Sequence, residues 1–168
     1  MDKRRARPPR PPKSLKARAI AHLARREYSR AELRDKLLGA RAEAPATADE
    51  VDAVLDEIAA LGHLSDARFA QAVVRQKSGV YSQRAIAASL NSKGVTGDAA
   101  AEALAGNEID DDVALVALWR RRFGAPPAND REKSRQIRFL QSRGFALSAI
   151  FKLLRNPPGA NDENGQAR

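Results

Sequence analysis

A short motif in this 168-residue chain returns after 50 residues, and this internal repeat constrains the fold more than any other feature. Residues 90–95 read LNSKGV and residues 140–145 read LQSRGF, so leucine, a basic residue, glycine and an apolar residue keep the same spacing. A fainter copy lies upstream, because residues 47–49 (TAD) align with residues 96–98 (TGD). Repeats with periods of about 20–50 residues are typical of one supersecondary unit used several times. Such architectures present a binding surface more often than a single catalytic pocket.

Helix start and stop signals divide each repeat into three. Ser29-x-x-Glu32 and Thr47-x-x-Glu50 are capping boxes, in which a hydroxyl and a carboxylate satisfy free N–H groups at a helix start. Asn129-x-x-Glu132 can act similarly, and single N-caps are predicted at Asp66, Ser82, Thr96 and Asp110. Glycines with positive φ are predicted to end the helices at Gly39, Gly62, Gly79, Gly94, Gly106, Gly124 and Gly144. The nine predicted helices lie near residues 15–27, 30–38, 47–61, 66–78, 82–93, 97–105, 110–123, 130–143 and 146–155.

The composition favours the same architecture. Much of the 43% hydrophobic share is alanine, aromatic residues make up only 5%, and no run of alternating β-branched residues predicts a strand. We therefore predict an all-α fold, an elongated array of three tandem three-helix repeats with disordered tails. The predicted divisions are a disordered, basic, proline-rich arm (1–14), repeats over 15–62, 63–106 and 107–155, and a disordered tail (156–168).

The net charge of +9 is distributed unevenly. Residues 1–18 hold eight Lys or Arg against the single acid Asp2, so this arm either solubilises the terminus or attracts phosphates. In the body, residues 41–66 and 95–112 are acidic, whereas residues 67–94 and 113–155 are basic. Each block taken alone is typical of an ordinary solvated face. Charge that recurs in phase with the repeat predicts separate acidic and basic faces.

The chain lacks a recognisable catalytic or metal-binding constellation. It has no cysteine, and its two histidines are His22 and His63, the second predicted to be a partly buried turn residue. Asp110, Asp111 and Asp112 could attract a divalent cation, but an N-cap followed by first-turn acids accounts for them more simply. No phosphate-binding glycine loop occurs. The sequence predicts no catalytic site, no metal and no cofactor.

No membrane or export signal is evident, because the basic N-terminus is followed by no apolar segment and 18 apolar residues never run together. We expect a soluble, cytoplasmic protein.

Nucleic acid is a second candidate partner. Residues 82–93 and 130–143 form basic helices, and Arg120-Arg121-Arg122 adds a dense cluster. Residues suited to reading bases are scarce on these faces, apart from Gln83 and Gln136. The large aromatic residues are predicted to lie in the core: Phe69, Trp119, Phe139 and Phe145. Binding to single- or double-stranded DNA would therefore be non-specific.

Four motifs in order resemble those of the RecX regulatory proteins. Residues 55–70 (LDEIAALGHLSDARFA) are similar to the family signature, in which an apolar helix precedes G-[YH]-[IL]-[ND]-D and then F-A. A basic run with glycine (75–79), an arginine-led helix ending in L-x-x-K-G-V (84–95) and F-L-x-x-R-G-F (139–145) follow. The resemblance spans about residues 17–155. The start of the second middle helix carries added length, and the proline-rich arm is not part of the family core.

This resemblance implies a non-enzymatic modulator of the RecA recombinase, acting in DNA repair, DNA recombination and the SOS response. Family members bind the RecA–single-stranded DNA filament along its groove and suppress its ATPase, strand-exchange and co-protease activities. A non-specific DNA-binding protein acting through its arm and basic helices is the alternative. From charge placement in this chain, and not from family contacts, we predict that a basic edge binds the partner. Its residues are Arg75, Lys77, Arg84, Lys93, Arg120, Arg121, Arg122, Lys133, Arg135, Arg138 and Arg143.

Overall fold

The computed structural model describes residues 13–39, 45–107 and 110–158. Most of the predicted arm and the predicted tail beyond residue 158 lie outside these residues. The described residues form nine α-helices and no strand, which confirms the predicted all-α fold of three-helix repeats. The helices are α1 (Leu15–Leu23), α2 (Arg30–Leu38), α3 (Ala48–Ala60), α4 (Asp66–Lys77), α5 (Gln83–Asn91), α6 (Gly97–Ala105), α7 (Asp111–Arg122), α8 (Asp130–Ser142) and α9 (Leu147–Arg155).

Side-chain caps begin most of these helices as predicted. The Ser29 hydroxyl accepts a hydrogen bond from the Glu32 backbone N–H at 3.0 Å. Thr47 and Glu50 form a complete capping box at the start of α3. Asp110 Oδ1 accepts from the backbone N–H of Asp112 at 2.8 Å, so the acidic cluster begins a helix, as expected.

The first helix is shorter than the sequence predicts. It was expected to reach residue 27 but ends at Leu23. Tyr28 turns into the core, where only 7% of it is exposed, and the Arg26 guanidinium lies 3.6 Å from the centre of its ring. Because Ser29 must also take an extended conformation to cap α2, the intervening residues form a turn.

For two of the seven glycines, the prediction of a positive φ is wrong. Gly39 is extended, with φ of −60°, and Gly106 is right-handed, with φ of −70°. At each position a Cβ would approach a carbonyl oxygen of the preceding helix within 3.1–3.2 Å, so close packing explains these glycines. The other five predicted glycines do have positive φ. Thr96 precedes α6 as predicted, but its hydroxyl makes no capping hydrogen bond.

Three hydrophobic cores are built from three consecutive helices each. Leu33, Leu37, Leu55 and Ile58 centre the first; Phe69, Val74, Ile86 and Leu90 the second; and Leu115, Trp119, Leu140 and Ile150 the third. Burial of one such side chain contributes about 1.5–3 kcal/mol, and helices this short need that packing to persist in water. The large aromatic residues lie in or against these cores, as predicted.

The 50-residue repeat is reproduced in the burial of individual side chains. Each of the nine positions of α6 has the same burial as the position 50 residues later in α9. Ala100 and Ala103 are buried, as are Ile150 and Leu153. The repeated motif therefore specifies a repeated three-helix packing arrangement.

The chain divides into two compact units, Met1–Asp66 and Ala67–Arg168. The first unit contains the first core, and the second contains the other two. The repeat boundaries given by the sequence stay predictions.

Two aspartates cap a neighbouring middle helix in the same way. Asp66 was predicted to be the N-cap of α4, but it is the first residue of that helix, and its Oδ1 accepts from the backbone N–H of Arg30 at 2.8 Å. Asp111, the first residue of α7, likewise accepts from the N–H of Gln83 at 2.7 Å. Arg30 and Gln83 are the first residues of α2 and α5, whose N–H groups have no partner within their helices.

Within the second unit, the turn after α8 is fixed to the start of α5. The Ser82 N–H donates to the Arg143 carbonyl oxygen at 3.0 Å, and the Ser82 hydroxyl donates to that of Gly144 at 2.8 Å. Gly144 has φ of +89°, and a Cβ there would lie 2.5 Å from Ala85 Cβ. Only glycine fits this close approach.

Candidate partner-binding surface

Three half-buried aromatic rings of the second unit lie beneath basic side chains. Tyr81 lies in the turn before α5, Phe123 directly follows α7, and Phe139 lies on α8. The Phe123 and Phe139 rings meet edge to face, with centroids 5.5 Å apart and planes at 88°. This geometry favours the pair beyond simple burial.

Four cations lie over these rings. Arg143 lies 4.8 Å from the Tyr81 centroid and 5.1 Å from that of Phe139, and Lys77 lies 5.3 Å from Tyr81. Arg122 lies 5.6 Å from Phe139, and Arg135 lies 5.8 Å from Phe123. A cation–π contact at an exposed site contributes about 0.5–1 kcal/mol. We call Lys77, Tyr81, Arg122, Phe123, Arg135, Phe139 and Arg143 the cation–aromatic strip.

Helical spacing explains three of the seven residues of this strip. Arg135, Phe139 and Arg143 are four residues apart, which brings them together on one side of α8 and its C-cap. The other four depend on tertiary packing, because Lys77 and Tyr81 come from α4 and the turn after it, and Arg122 and Phe123 come from the end of α7. The strip therefore joins residues of the second and third repeats.

Arg143 is the most constrained cation of the strip. Its Nη1 donates a hydrogen bond to the Tyr81 hydroxyl oxygen, and its buried Nε has no hydrogen-bond partner among the described residues. Lys77 donates to the Ser89 hydroxyl at 2.6 Å, and Arg84 donates to the Gly144 carbonyl at 3.3 Å. These bonds orient the side chains before any partner arrives.

The structure thus brings together five of the eleven predicted contact residues around the strip: Lys77, Arg84, Arg122, Arg135 and Arg143. Lys93 is half-buried. The remaining five are exposed, and no described contact connects them to the strip: Arg75, Arg120, Arg121, Lys133 and Arg138. The contact role of all eleven stays a prediction.

The three consecutive arginines of α7 point in different directions from the helix. Neighbouring residues in a helix point about 100° apart, so the three side chains diverge. Arg122 covers Phe139, whereas Arg120 lines a shallow depression with Val113, Val116 and Ala117. Arg121 is exposed.

Arg131 was missing from the predicted contact residues. Helical spacing places Arg131, Arg135 and Arg138 on one solvent-facing side of α8, while Lys133 lies on another. The spacing of four and then three residues was the signal in the sequence that could have identified it.

Four cations of the first unit, in contrast, are paired with acids. Arg34 contacts Asp52 through two hydrogen bonds, of 2.8 and 3.0 Å, and this pairing lowers the pKa of Asp52 and raises that of Arg34. Three further pairs are Lys16–Glu57 at 2.6 Å, Arg26–Glu32 at 3.2 Å and Arg30–Asp56 at 2.8 Å. Surface pairs contribute about 0–1 kcal/mol each, so their main effect here is to cancel charge.

The arginines of α7 and α8 form no ion pair with a carboxylate in the part of the chain that the structure describes. Among the residues that the structure describes, unpaired arginines are therefore concentrated on the second unit. A surface of this kind attracts polyanions and acidic protein surfaces from a distance.

Two side chains differ from their predicted environment. Gln136, predicted to face outward among the basic residues, is buried, where it accepts from Trp119 Nε1 at 2.8 Å and donates to the Ala125 carbonyl. It satisfies the buried indole instead of reading a base. His63, predicted to be partly buried, is exposed because its turn projects it outward.

No three His, Cys, Asp or Glu side chains are grouped as metal ligands within residues 13–39, 45–107 and 110–158. Over the same residues, no helix combines the length and the apolar character needed to span a bilayer.

Comparison with protein-family models gives two matches. Residues 65–104 match the model described as "RecX, second three-helix domain", and residues 110–154 match "RecX, third three-helix domain". Together these ranges contain the second and third cores and every residue of the cation–aromatic strip.

Curated relatives are similar over nearly the whole chain. The Regulatory protein RecX of Leptothrix cholodnii is 44% identical over 148 residues, covering 87% of this chain and 90% of the relative. That of Ralstonia nicotianae is 37% identical, covering 94% of this chain and 97% of the relative. The crystal structure of RecX from Lactobacillus salivarius superposes with a TM-score of 0.59 at 19% identity, covering 84% of this chain and 94% of that one. This last likeness shows the fold.

Proposed function

Because this chain belongs to the RecX family of regulatory proteins, we propose that it is a non-enzymatic inhibitor of the RecA recombinase. It binds the groove of the RecA–single-stranded DNA filament and suppresses its ATPase, strand-exchange and co-protease activities. In this way it acts on DNA repair, DNA recombination and the SOS response in the cytoplasm. The eleven predicted basic residues are the proposed contacts, with the cations of the strip foremost.

The observation that supports this proposal is the division of charge between the two units. Four cations of the first unit form ion pairs with acids of the same unit, whereas the second unit presents arginines held against aromatic rings and not paired with a described acid. Side chains that are already oriented lose less conformational freedom on binding. Their charge also accelerates encounter with a negatively charged nucleoprotein filament.

A non-specific DNA-binding protein is the second candidate, because the half-buried rings of Tyr81, Phe123 and Phe139 lie among the cations of the strip. Basic grooves with aromatic side chains bind single strands without reading sequence. The two functions differ in their target. A DNA binder holds naked single strands as tightly as filaments, and its affinity falls steeply as salt rises.

The test is a titration of recombinase ATPase on saturating single-stranded DNA with the full-length protein. We expect inhibition at amounts well below one molecule per recombinase protomer, at concentrations that leave most naked DNA unbound in a parallel binding assay. Inhibition that only follows the fraction of DNA sequestered would instead support the second candidate. Absence of inhibition at any ratio would contradict the first.

A further inference from the structure

An exposed ridge on α9 lies outside the hydrophobic core of its own repeat. Leu147 and Phe151 are 43% and 42% exposed, and Arg155 is exposed at the last position of the helix. These residues are four apart, so their side chains lie in one row along the helix surface. We call them the α9 ridge.

Comparison with the preceding repeat shows that the fold does not need this ridge. The positions 50 residues earlier on α6 are Gly97, Ala101 and Ala105, and these residues are exposed, as their counterparts on α9 are. The two helices have equal lengths and identical patterns of burial. Large apolar side chains exposed to water lower the solubility of a protein, and groups of such side chains on a surface mark sites of contact with a partner. Leu147 and Phe151 therefore occupy positions at which the second repeat has only a glycine and an alanine, although the two helices pack in the same way.

The first repeat uses the matching row for internal ion pairs. With the 49-residue offset of the upstream copy, the row on α3 is Ala48, Asp52 and Asp56. Asp52 pairs with Arg34, and Asp56 pairs with Arg30 at 2.8 Å. One structural position thus carries internal ion pairs in the first repeat, small residues in the second and an apolar–basic row in the third.

The chemistry of the ridge indicates what covers it. Two apolar side chains followed by a guanidinium complement an apolar groove that has a carboxylate at one end, as in helix-in-groove recognition. Lys152 is also exposed beside the ridge, so an acidic rim is favoured over a basic one. Phosphates match the cations but provide no surface for Leu147.

We infer that the α9 ridge inserts into an apolar, acid-rimmed groove on the recombinase protein. This inference rests on the proposed function, and it divides the contacts of the second unit. The cation–aromatic strip attracts the filament, and the α9 ridge recognises the protein component. Leu147 and Phe151 supply the buried centre of the contact, and Arg155 fixes its direction.

The test replaces the ridge by the residues that α6 tolerates. The full-length double variant Leu147→Ala/Phe151→Ala is compared with Val113→Ala, which removes an apolar side chain that is 65% exposed on α7. We measure equilibrium binding to filaments assembled with a non-hydrolysable ATP analogue, and binding to naked single-stranded DNA. Loss of two anchors should weaken filament binding about tenfold or more, while naked DNA binding changes less than about twofold. The Val113→Ala control should match wild type in both assays.

A charge test on the same ridge separates packing from electrostatics. Arg155→Glu should weaken filament binding, and Arg155→Lys should restore much of it. All ridge positions are exposed, so the circular dichroism spectra of the variants should match that of wild type.

The remaining outcomes would overturn the inference. If the double variant binds filaments with wild-type affinity, the α9 ridge is not a contact, and the proposed function is unaffected. If the wild-type protein neither binds nor inhibits filaments, both the ridge contact and the proposed function are wrong. An equal loss on naked DNA would show that Phe151 stacks on bases, and a wild-type dimer that dissociates in the double variant on sedimentation would show that the ridge binds a second copy.

Discussion

At the scale of single residues, Gly144 shows how a short motif can carry a tertiary contact. Its counterpart Gly94 also has positive φ, but Gly144 in addition faces Ser82 and Ala85 of another repeat within 2.6 Å of a would-be Cβ. The glycine of the motif thus ends a helix in both copies and joins two repeats in one of them. The sequence predicted the first role because helix ends follow local rules, whereas the second depends on chain segments 60 residues apart.

We expect Gly144→Ala to be much more destabilising than Gly79→Ala. Both residues have positive φ, but a Cβ on Gly79 would meet nothing within 4 Å. Strain alone costs about 1 kcal/mol, and overpacking against Ala85 adds about 1–3 kcal/mol. Urea denaturation followed by Trp119 fluorescence measures this, because the single tryptophan lies in the third core. Equal midpoints for the two variants would show that the turn does not dock on α5.

At the scale of helices, the aspartates that begin α4 and α7 have the same structural role, and this role explains the presence of Asp66 in the family-like motif. Asp66 was read as the cap of its own helix because sequence patterns show only local neighbours. Its carboxylate instead satisfies the first N–H of α2, and Asp111 repeats this for α5. In each case the carboxylate satisfies an N–H group that has no partner within its own helix.

Removal of the Asp111 cap should cost about 1 kcal/mol, as for other N-terminal caps. Asp111→Ala is best compared with Asp112→Ala, because Asp112 is adjacent and exposed and its carboxylate has no described hydrogen bond. The urea midpoint from Trp119 fluorescence should fall for the first variant and stay near wild type for the second. The opposite order would contradict the assigned cap.

The acids of α3 predict that the first unit is sensitive to acid. Pairing with Arg34 lowers the pKa of Asp52 below its ordinary value of 3.8, and the N–H of Thr47 lowers that of Glu50 below 4.5. Because these pKa values are lower in the folded state, their stabilisation is complete above about pH 5 and is lost as the pH falls through the folded values. Amides of α2 and α3 should therefore exchange hydrogen faster below about pH 4, after correction for intrinsic rates.

Asp52→Asn should reduce this acid dependence, since the variant has lost the titrating pair, whereas Asp49→Asn on the same helix should not. Protection in α2 and α3 that is independent of pH between about 5 and 2.5 in the wild-type protein would contradict the role of the pair.

At the scale of the whole molecule, the two units differ in what they do with charge. Sequence blocks predicted alternating acidic and basic segments, and the structure shows four cations of the first unit in ion pairs with its acids. The nine helices were predictable because caps and glycines act locally. The cation–aromatic strip was not, since Tyr81 meets Arg143 only when two repeats pack together. Of its rings, only Phe139 was predicted to pack on a core, and the half-buried positions of all three rings follow from tertiary structure.

The central claim is that the strip of the second unit, and not positive charge in general, engages the recombinase filament. The most direct measurement compares two full-length variants that each lose two charges, Arg122→Ala/Arg135→Ala in the strip and Lys16→Ala/Arg30→Ala in the first unit. The concentration needed to halve recombinase ATPase on saturating single-stranded DNA should rise about tenfold for the strip variant and less than about twofold for the other. Equal shifts in the two variants, or none in the strip variant, would contradict the account.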